Sequence, residues 1–323
     1  MAKVLAYGPL GTPGTQVLEL RSDIELVTVA VADLNALHHE VASAQAVIAR
    51  YLPFDRETIK LAQHLKVVVR VGVGFDNIDV DALTERGIPL ATVGDANSTT
   101  VAEHTLYLML ALAKKGINCD QASRTGNWKY RENLNTFELW KKTLLIVGLG
   151  RIGRKVAERC AAFGMHILAY DPYISSDEII RRGANPVEDL NNAIAKSDIV
   201  SLHAPATSDT YQIINNSRLQ LFKNSALLIN TARGSLVDET ALCDALHAGQ
   251  LAGAGIDVFT TEPPCHQERL FSFNNVVISP HTAGLTEECI SRMGIICANH
   301  AIAAIDGCLD YTYVVNPEVL GQK

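Results

Sequence analysis

Short apolar runs recur along this chain at the intervals a β-α alternation requires. In the first hundred residues they fall near 3–7, 25–31, 46–50, 66–71 and 89–93, separated by stretches with helical spacing. From residue 143 onward the runs end on Gly148, Asp171, His203, Arg233, Asp257 and His281. Fully apolar runs of this length suit strands covered on both faces, so six strands alternating with helices predict a doubly wound parallel sheet. The first set predicts a smaller, flavodoxin-like α/β domain. Residues 99–115 read as a long helix that crosses from the first domain to the second, with a return crossing near 285. Residues 286–305 read as helix, and 311–317 as a short extended piece packing back on the first domain.

One turn in this pattern carries more than fold. The run Thr143–Val147 enters Gly148-Leu149-Gly150-Arg151-Ile152-Gly153, continues into a helical stretch that Gly164 can terminate, and leads to a second run ending on Asp171. A glycine triplet between a strand and a helix is the dinucleotide fingerprint in its required context. Gly148 permits the tight turn, Gly150 lets backbone approach a pyrophosphate, and Gly153 permits close helix packing. The helix N-terminus then offers N–H donors to the phosphates. Asp171, eighteen positions after Gly153, suits ribose hydroxyls and repels a 2′-phosphate, which predicts NAD rather than NADP. The expected fold is therefore a Rossmann doubly wound parallel-sheet cofactor domain, residues 99–285, plus a smaller flavodoxin-like α/β substrate domain built from 1–98 and 286–323.

Composition narrows the class. The 323 residues are 48% apolar and 20% charged, ordinary for a soluble globular chain of about two domains. Net charge is −7 with scattered basic residues, so neither nucleic acid nor an anionic membrane is an expected partner. The N-terminal residues enter a strand pattern directly, without the three regions of a signal peptide. The apolar stretch 105–113 is too short to span a bilayer. Seven cysteines, at 119, 160, 243, 265, 289, 297 and 308, form no CxxC pair and read as reduced thiols. A cytoplasmic protein without a metal site is the expectation.

Two side chains at strand ends and one on a loop carry candidate chemistry. Arg233, in Asn230-Thr231-Ala232-Arg233-Gly234, has the guanidinium fork that suits a substrate carboxylate and its 2-oxygen. His281, in Ser279-Pro280-His281, carries an imidazole, the side-chain type suited to exchanging a proton with an alkoxide. Glu262, on a loop stiffened by Pro263 and Pro264, can hydrogen-bond His281, orient its ring and favour the imidazolium. Beside NAD these groups would bind a carboxylate, polarise the neighbouring carbonyl and move a proton, which is 2-hydroxy acid dehydrogenation. Asp257, ending its strand near the expected nicotinamide, is a candidate to orient the carboxamide.

At these residues the chain resembles the NAD-dependent D-isomer-specific 2-hydroxyacid dehydrogenases, particularly the D-3-phosphoglycerate dehydrogenase and hydroxypyruvate or glyoxylate reductase branch. The resemblance covers nearly the whole chain, through residues 70–79, Val101-Ala102-Glu103, the glycine fingerprint with Asp171-Pro172, Thr231-Ala232-Arg233-Gly234, 257–263 and Pro280-His281. It implies Arg233, Glu262 and His281 as the catalytic set, with His281 the proton donor. It also implies NAD contacts from Arg151, Ile152, Asp171, Ala204, Thr231, Ala232, Asp257 and Gly284. Backbone of Val71, Gly72, Val73 and Gly74 would face the substrate carboxylate. D-stereochemistry, closure of the domains and a homodimer built through the cofactor domains come from the resemblance alone, and dimer against tetramer stays open.

Arg50 and Arg70, each ending an apolar run of the first domain, resemble the basic positions that hold the substrate phosphate in phosphoglycerate dehydrogenases. They predict a 2-hydroxy acid with a second anionic group. Arg131, near Trp128 and Lys129, departs from that branch by about one inserted residue and carries no expectation. Glu262 stands where formate dehydrogenases of the superfamily have glutamine, so formate is not expected. Thr282 and Ala283 depart from the family's usual apolar or glycine-like residues, which alters the expected nicotinamide pocket. No regulatory domain of the kind some relatives carry is seen before Lys323, so feedback through one is not expected. The alternatives are a glyoxylate or hydroxypyruvate reductase and, in another class, an NAD(H)-sensing protein resembling the corepressors of this fold.

Overall fold

The computed structural model describes residues 1–30, 33–51 and 53–321. Val31, the last position of the second expected strand, and Gln322 and Lys323, the end of the expected first domain, lie outside the described residues. In chain order the elements begin with β1 (Ala2–Tyr7), α1 (Thr12–Glu19), β2 (Ile24–Val29), α2 (Leu34–Val41), β3 (Ala46–Ala49), α3 (Arg56–Leu61), β4 (Val67–Arg70), α4 (Val80–Glu85) and β5 (Leu90–Ala91). Then come α5 (Ser98–Ala113), α6 (Gly116–Arg124), β6 (Thr143–Val147), α7 (Arg151–Ala162), β7 (His166–Tyr170), α8 (Ser176–Arg181), β8 (Asn185–Pro186), α9 (Leu190–Lys196) and β9 (Ile199–Leu202). The last are α10 (Asn216–Leu219), β10 (Leu227–Asn230), α11 (Glu239–His247), β11 (Gly253–Ile256), β12 (Val276–Ile278) and α12 (Glu287–Ile305). They form two compact units, Met1–Asn97 with Leu285–Lys323, and Ser98–Gly284.

The first unit is a five-stranded parallel sheet in the order β2-β1-β3-β4-β5. One face buries Leu37, Phe54, Ile59 and Leu83 from the α2, α3 and α4 side, and the other buries Leu18 with Cys289, Met293, Cys297 and Ala301 of α12. Helix starts follow side-chain chemistry, because Asp33, Asp55 and Asp79 each accept the N–H three residues on. Helix α1 approaches α12 at Gly14 and Gly294, where a Cβ on Gly14 would lie 2.7 Å from the Gly294 carbonyl group. Residues 311–317 are not uniformly extended. Tyr311–Tyr313 make a 3₁₀ turn, after which Val314 bridges Ala91 antiparallel and Val315 donates its N–H to the Leu90 carbonyl at 2.8 Å.

The second unit holds seven parallel strands in the order β12-β11-β10-β9-β6-β7-β8, one more than the apolar runs predict. The unexpected strand, β8, has two residues, too few to leave a periodic signal. Crossovers place α5, α7 and α8 against one face of the sheet and α9, α10 and α11 against the other. Connectivity reverses between β6 and β9, which makes their carboxyl ends the natural ligand crevice of such a sheet. The expected helix 99–115 is α5, ending at Ala113. Beyond Lys115 (φ 49) two elements appear that the pattern does not predict, α6 and a 3₁₀ turn at Trp128–Asn133, and neither buries a residue.

Candidate active site

The glycine turn after β6 has steric reasons for two of its three glycines. Gly148 has φ 92, and a Cβ there would sit 2.7 Å from the Ala204 amide nitrogen. A Cβ on Gly153 would overlap the Gly148 carbonyl oxygen, whereas one on Gly150 would meet open space. Gly150 caps α7 without a side-chain hydrogen bond, so the first-turn N–H groups of the helix are left to an external acceptor. That is the environment an anion selects, since the helix dipole adds to the donors. Asp171, at the end of β7, accepts from Leu149 N–H (2.9 Å) and Tyr173 N–H (3.1 Å), and Arg182 donates to the Leu149 carbonyl at 2.7 Å. At the end of β9, His203 Nε2 meets Ser201 Oγ at 2.8 Å, and burial holds its pKa far below the ordinary value. The adjacent Ala204 closes over Gly148.

The next strand end holds Arg233. Asn230 ties the segment down, accepting the Ala232 N–H at 3.0 Å and donating to the Arg233 carbonyl at 2.8 Å. Thr231 Oγ1 meets Thr105 Oγ1 of α5 at 2.9 Å. Gly234 has no room for a side chain, because a Cβ would overlap the Phe259–Thr260 backbone. This packs the Arg233 segment against the loop that bears Glu262.

Glu262 and His281 meet at 2.6 Å, Oε2 to Nδ1, while Glu262 Oε1 accepts the Phe259 N–H at 3.0 Å. A carboxylate only accepts, so Nδ1 carries the proton and Nε2 is the ring atom left for substrate. Burial pushes the Glu262 pKa up, but the hydrogen bonds from His281 and Phe259 and the charges of His281 and Arg233 outweigh it, holding the carboxyl below its ordinary value. His281 itself has φ 53, in the left-handed region that a residue with a Cβ enters at a cost of about 1–2 kcal/mol. Its N–H donates to the Asp257 carbonyl (2.7 Å) and the Ser279 carbonyl (3.1 Å).

Asp257, with a side chain only 1% exposed, is the most committed carboxylate of the group. It accepts from the Ser279 hydroxyl and from the N–H groups of Thr282 and Ala283. The strand ends thus bring Arg233, Glu262, His281 and Asp257, with Thr231, Ala232 and Gly284, to the same sheet edge as Gly148, Gly150, Arg151, Ile152, Gly153, Asp171 and Ala204. Arg50, Arg70 and Val71–Gly74 belong to the other unit, at the carboxyl edge of its own sheet. There Arg50 donates to the Pro9 carbonyl at 2.8 Å and lies 4.7 Å from the Tyr51 ring centroid, and Arg70 donates to the Val71 carbonyl. His104 and Ser279, which contact the Asp257 cluster, are not singled out by the pattern of residues.

The family model for the D-isomer specific 2-hydroxyacid dehydrogenase NAD binding domain matches residues 106–283. The chain belongs to this family. Its NAD binding domain falls within the second unit. D-3-phosphoglycerate dehydrogenase of Methanocaldococcus jannaschii is 37% identical over 324 residues, which is all of this chain and 61% of that protein. Glyoxylate reductase of Korarchaeum cryptofilum is 38% identical, covering 83% of this chain and 81% of its own length. Among solved structures, D-lactate dehydrogenase of Aquifex aeolicus complexed with NAD and lactic acid superimposes with a TM-score of 0.87 at 28% identity, covering 99% of this chain and all of that one. The chain spans about three-fifths of the length of the curated phosphoglycerate dehydrogenases it matches.

Proposed function

We propose that this family member is an NAD-dependent dehydrogenase that interconverts a D-2-hydroxy acid and its 2-oxo acid. The observation that carries the reading is the Glu262–His281 hydrogen bond beside Arg233, on the sheet edge that also bears the glycine turn. The residues fit the cofactor: an uncapped α7 N-terminus and open space at Gly150 suit the pyrophosphate, and Asp171 suits an unphosphorylated ribose. Arg151, Ile152, Ala204, Thr231, Ala232, Asp257 and Gly284 complete the proposed cofactor contacts. When bound, NADH supplies the hydride. Arg233 holds the substrate carboxylate and polarises the 2-oxygen. His281, charged by proton uptake at Nε2 and oriented by Glu262, gives that proton to the oxygen as the carbonyl is reduced; oxidation runs the same steps backwards. Val71–Gly74 would meet the substrate carboxylate with backbone groups.

The substrate in this reading has a second anionic group, as in 3-phosphoglycerate, held by Arg50 and Arg70. A second reading, a glyoxylate or hydroxypyruvate reductase, draws on the carbonyl bonds that both arginines already make within their own unit. NADH oxidation with glyoxylate, hydroxypyruvate, phosphohydroxypyruvate, sulfopyruvate and oxaloacetate separates them by kcat/KM. An anionic tail is expected to win, and preference for neutral tails makes the arginines structural. Silence across the panel with intact NADH binding overturns the enzyme reading in favour of a sensor. A cytoplasmic setting belongs to the same proposal, supported by seven free thiols, four of them buried. So does a homodimer, supported by the side chains of α6 and Trp128–Asn133 that the chain leaves uncovered. No helix of the described residues is long and apolar enough to cross a membrane.

A further inference from the structure

Asp257 brackets the segment that presents His281. Its Oδ1 accepts from Ser279 Oγ (2.5 Å) and Thr282 N–H (2.9 Å), its Oδ2 from Ala283 N–H (3.0 Å), and its carbonyl from His281 N–H (2.7 Å). A carboxylate has no proton to give, so the single proton of the Ser279 hydroxyl goes to Asp257. The serine oxygen is also 2.8 Å from His104 Nε2, and with its own proton committed it can only accept there. The hydrogen-bond order therefore fixes the tautomer: His104 carries a proton on Nε2. We propose that His104 is a positioning residue for the reaction, the outer donor that holds Ser279 and Asp257 in register and thereby fixes the strained backbone at His281. This rests on the assignment of proton transfer to His281 made above.

Several features of α5 suit it to this task. His104 lies against the Tyr107 ring one turn on, with ring centroids 5.5 Å apart. Burial lowers its pKa, opposed by the Asp257 charge. The following residue, Thr105, bonds Thr231 beside the Arg233 segment. One turn of one helix thus touches the supports of both the arginine and the histidine. Nothing in the chemistry of hydride transfer requires an imidazole at this place, which is why its role is visible only in the hydrogen-bond order.

The test has two parts. In steady-state reduction of hydroxypyruvate, His104→Leu is expected to lower kcat roughly ten- to a hundredfold, the scale of a small misplacement of reacting groups. NADH affinity by fluorescence titration should stay within about twofold. His104→Gln, which places an N–H near the Nε2 position, should recover most of the loss, and His104→Asn should not. Ser279→Ala should cost about as much as His104→Leu, and the double variant no more than the worse single one, because both break one chain. Wild-type kcat in His104→Leu, multiplicative losses in the double variant, or equal activity of Gln and Asn overturns the proposal. Independently of turnover, ¹⁵N NMR of histidine-labelled wild-type protein should show His104 protonated at Nε2; an Nδ1-only tautomer overturns it. Failure of the dehydrogenase reading shows elsewhere, as a wild-type protein that binds NADH and reduces none of the acids.

Discussion

At the scale of residues, the pairing of Glu262 with His281 sets two expectations. Replacing His281 with alanine should remove two to four orders of magnitude from kcat, the usual worth of general acid catalysis, while NADH titration stays near wild type. Unchanged turnover would reject the assigned role. Glu262 has its carboxyl pKa lowered by the fold from an ordinary value of 4.5, so its pairing stabilises the native state above that value and is lost as pH falls through the lower folded value. Wild type should therefore resist urea better than Glu262→Gln at pH 7, with the two midpoints converging under acid conditions; a gap that does not change with pH contradicts this. Arg233, Glu262 and His281 could be singled out from sequence because each lies beside a strand end or a stiffened loop. His104 and Ser279 could not, since their meeting joins residues 175 positions apart and depends on how α5 crosses the sheet.

Among the elements, the crossing of α1 and α12 is set by the absence of side chains. Gly14→Ala would drive a methyl into the Gly294 carbonyl, which is backbone and cannot rotate away, and should destabilise the protein by about 1–3 kcal/mol. Gly116→Ala is the matched control, because its Cβ would find nothing nearer than 3.9 Å and the helix gains propensity. A lower melting midpoint for the first and none for the second is expected; equal midpoints would mean the helices slide apart at little cost. The elements of both sheets were largely legible because buried parallel strands are dense in Val, Ile and Leu. The failures have the same origin. Asn185–Pro186 forms a strand of two residues, and α6 with Trp128–Asn133 has no buried face to impose a period.

For the whole molecule, those unburied side chains argue for a second copy of the chain. Ile117 is 50% exposed and Trp128 66%, and sedimentation should find a dimer that Ile117→Asp with Trp128→Asp converts to monomer. A monomeric wild type would remove the homodimer from the proposal. The fingerprint and the strand count point to one continuous cofactor unit, whereas the order of strands at the sheet edges required tertiary structure. The unit completed by α12 has a consequence for synthesis. Cys289, Met293, Cys297 and Ala301 cover the face of β1, β3 and β4, yet the ribosome makes them only after all of Ser98–Gly284. At about 5–20 residues per second, that apolar face waits on the order of ten to forty seconds for its cover. The interior unit can fold during this interval and the outer one cannot, so nascent chains should engage a chaperone through their first hundred residues.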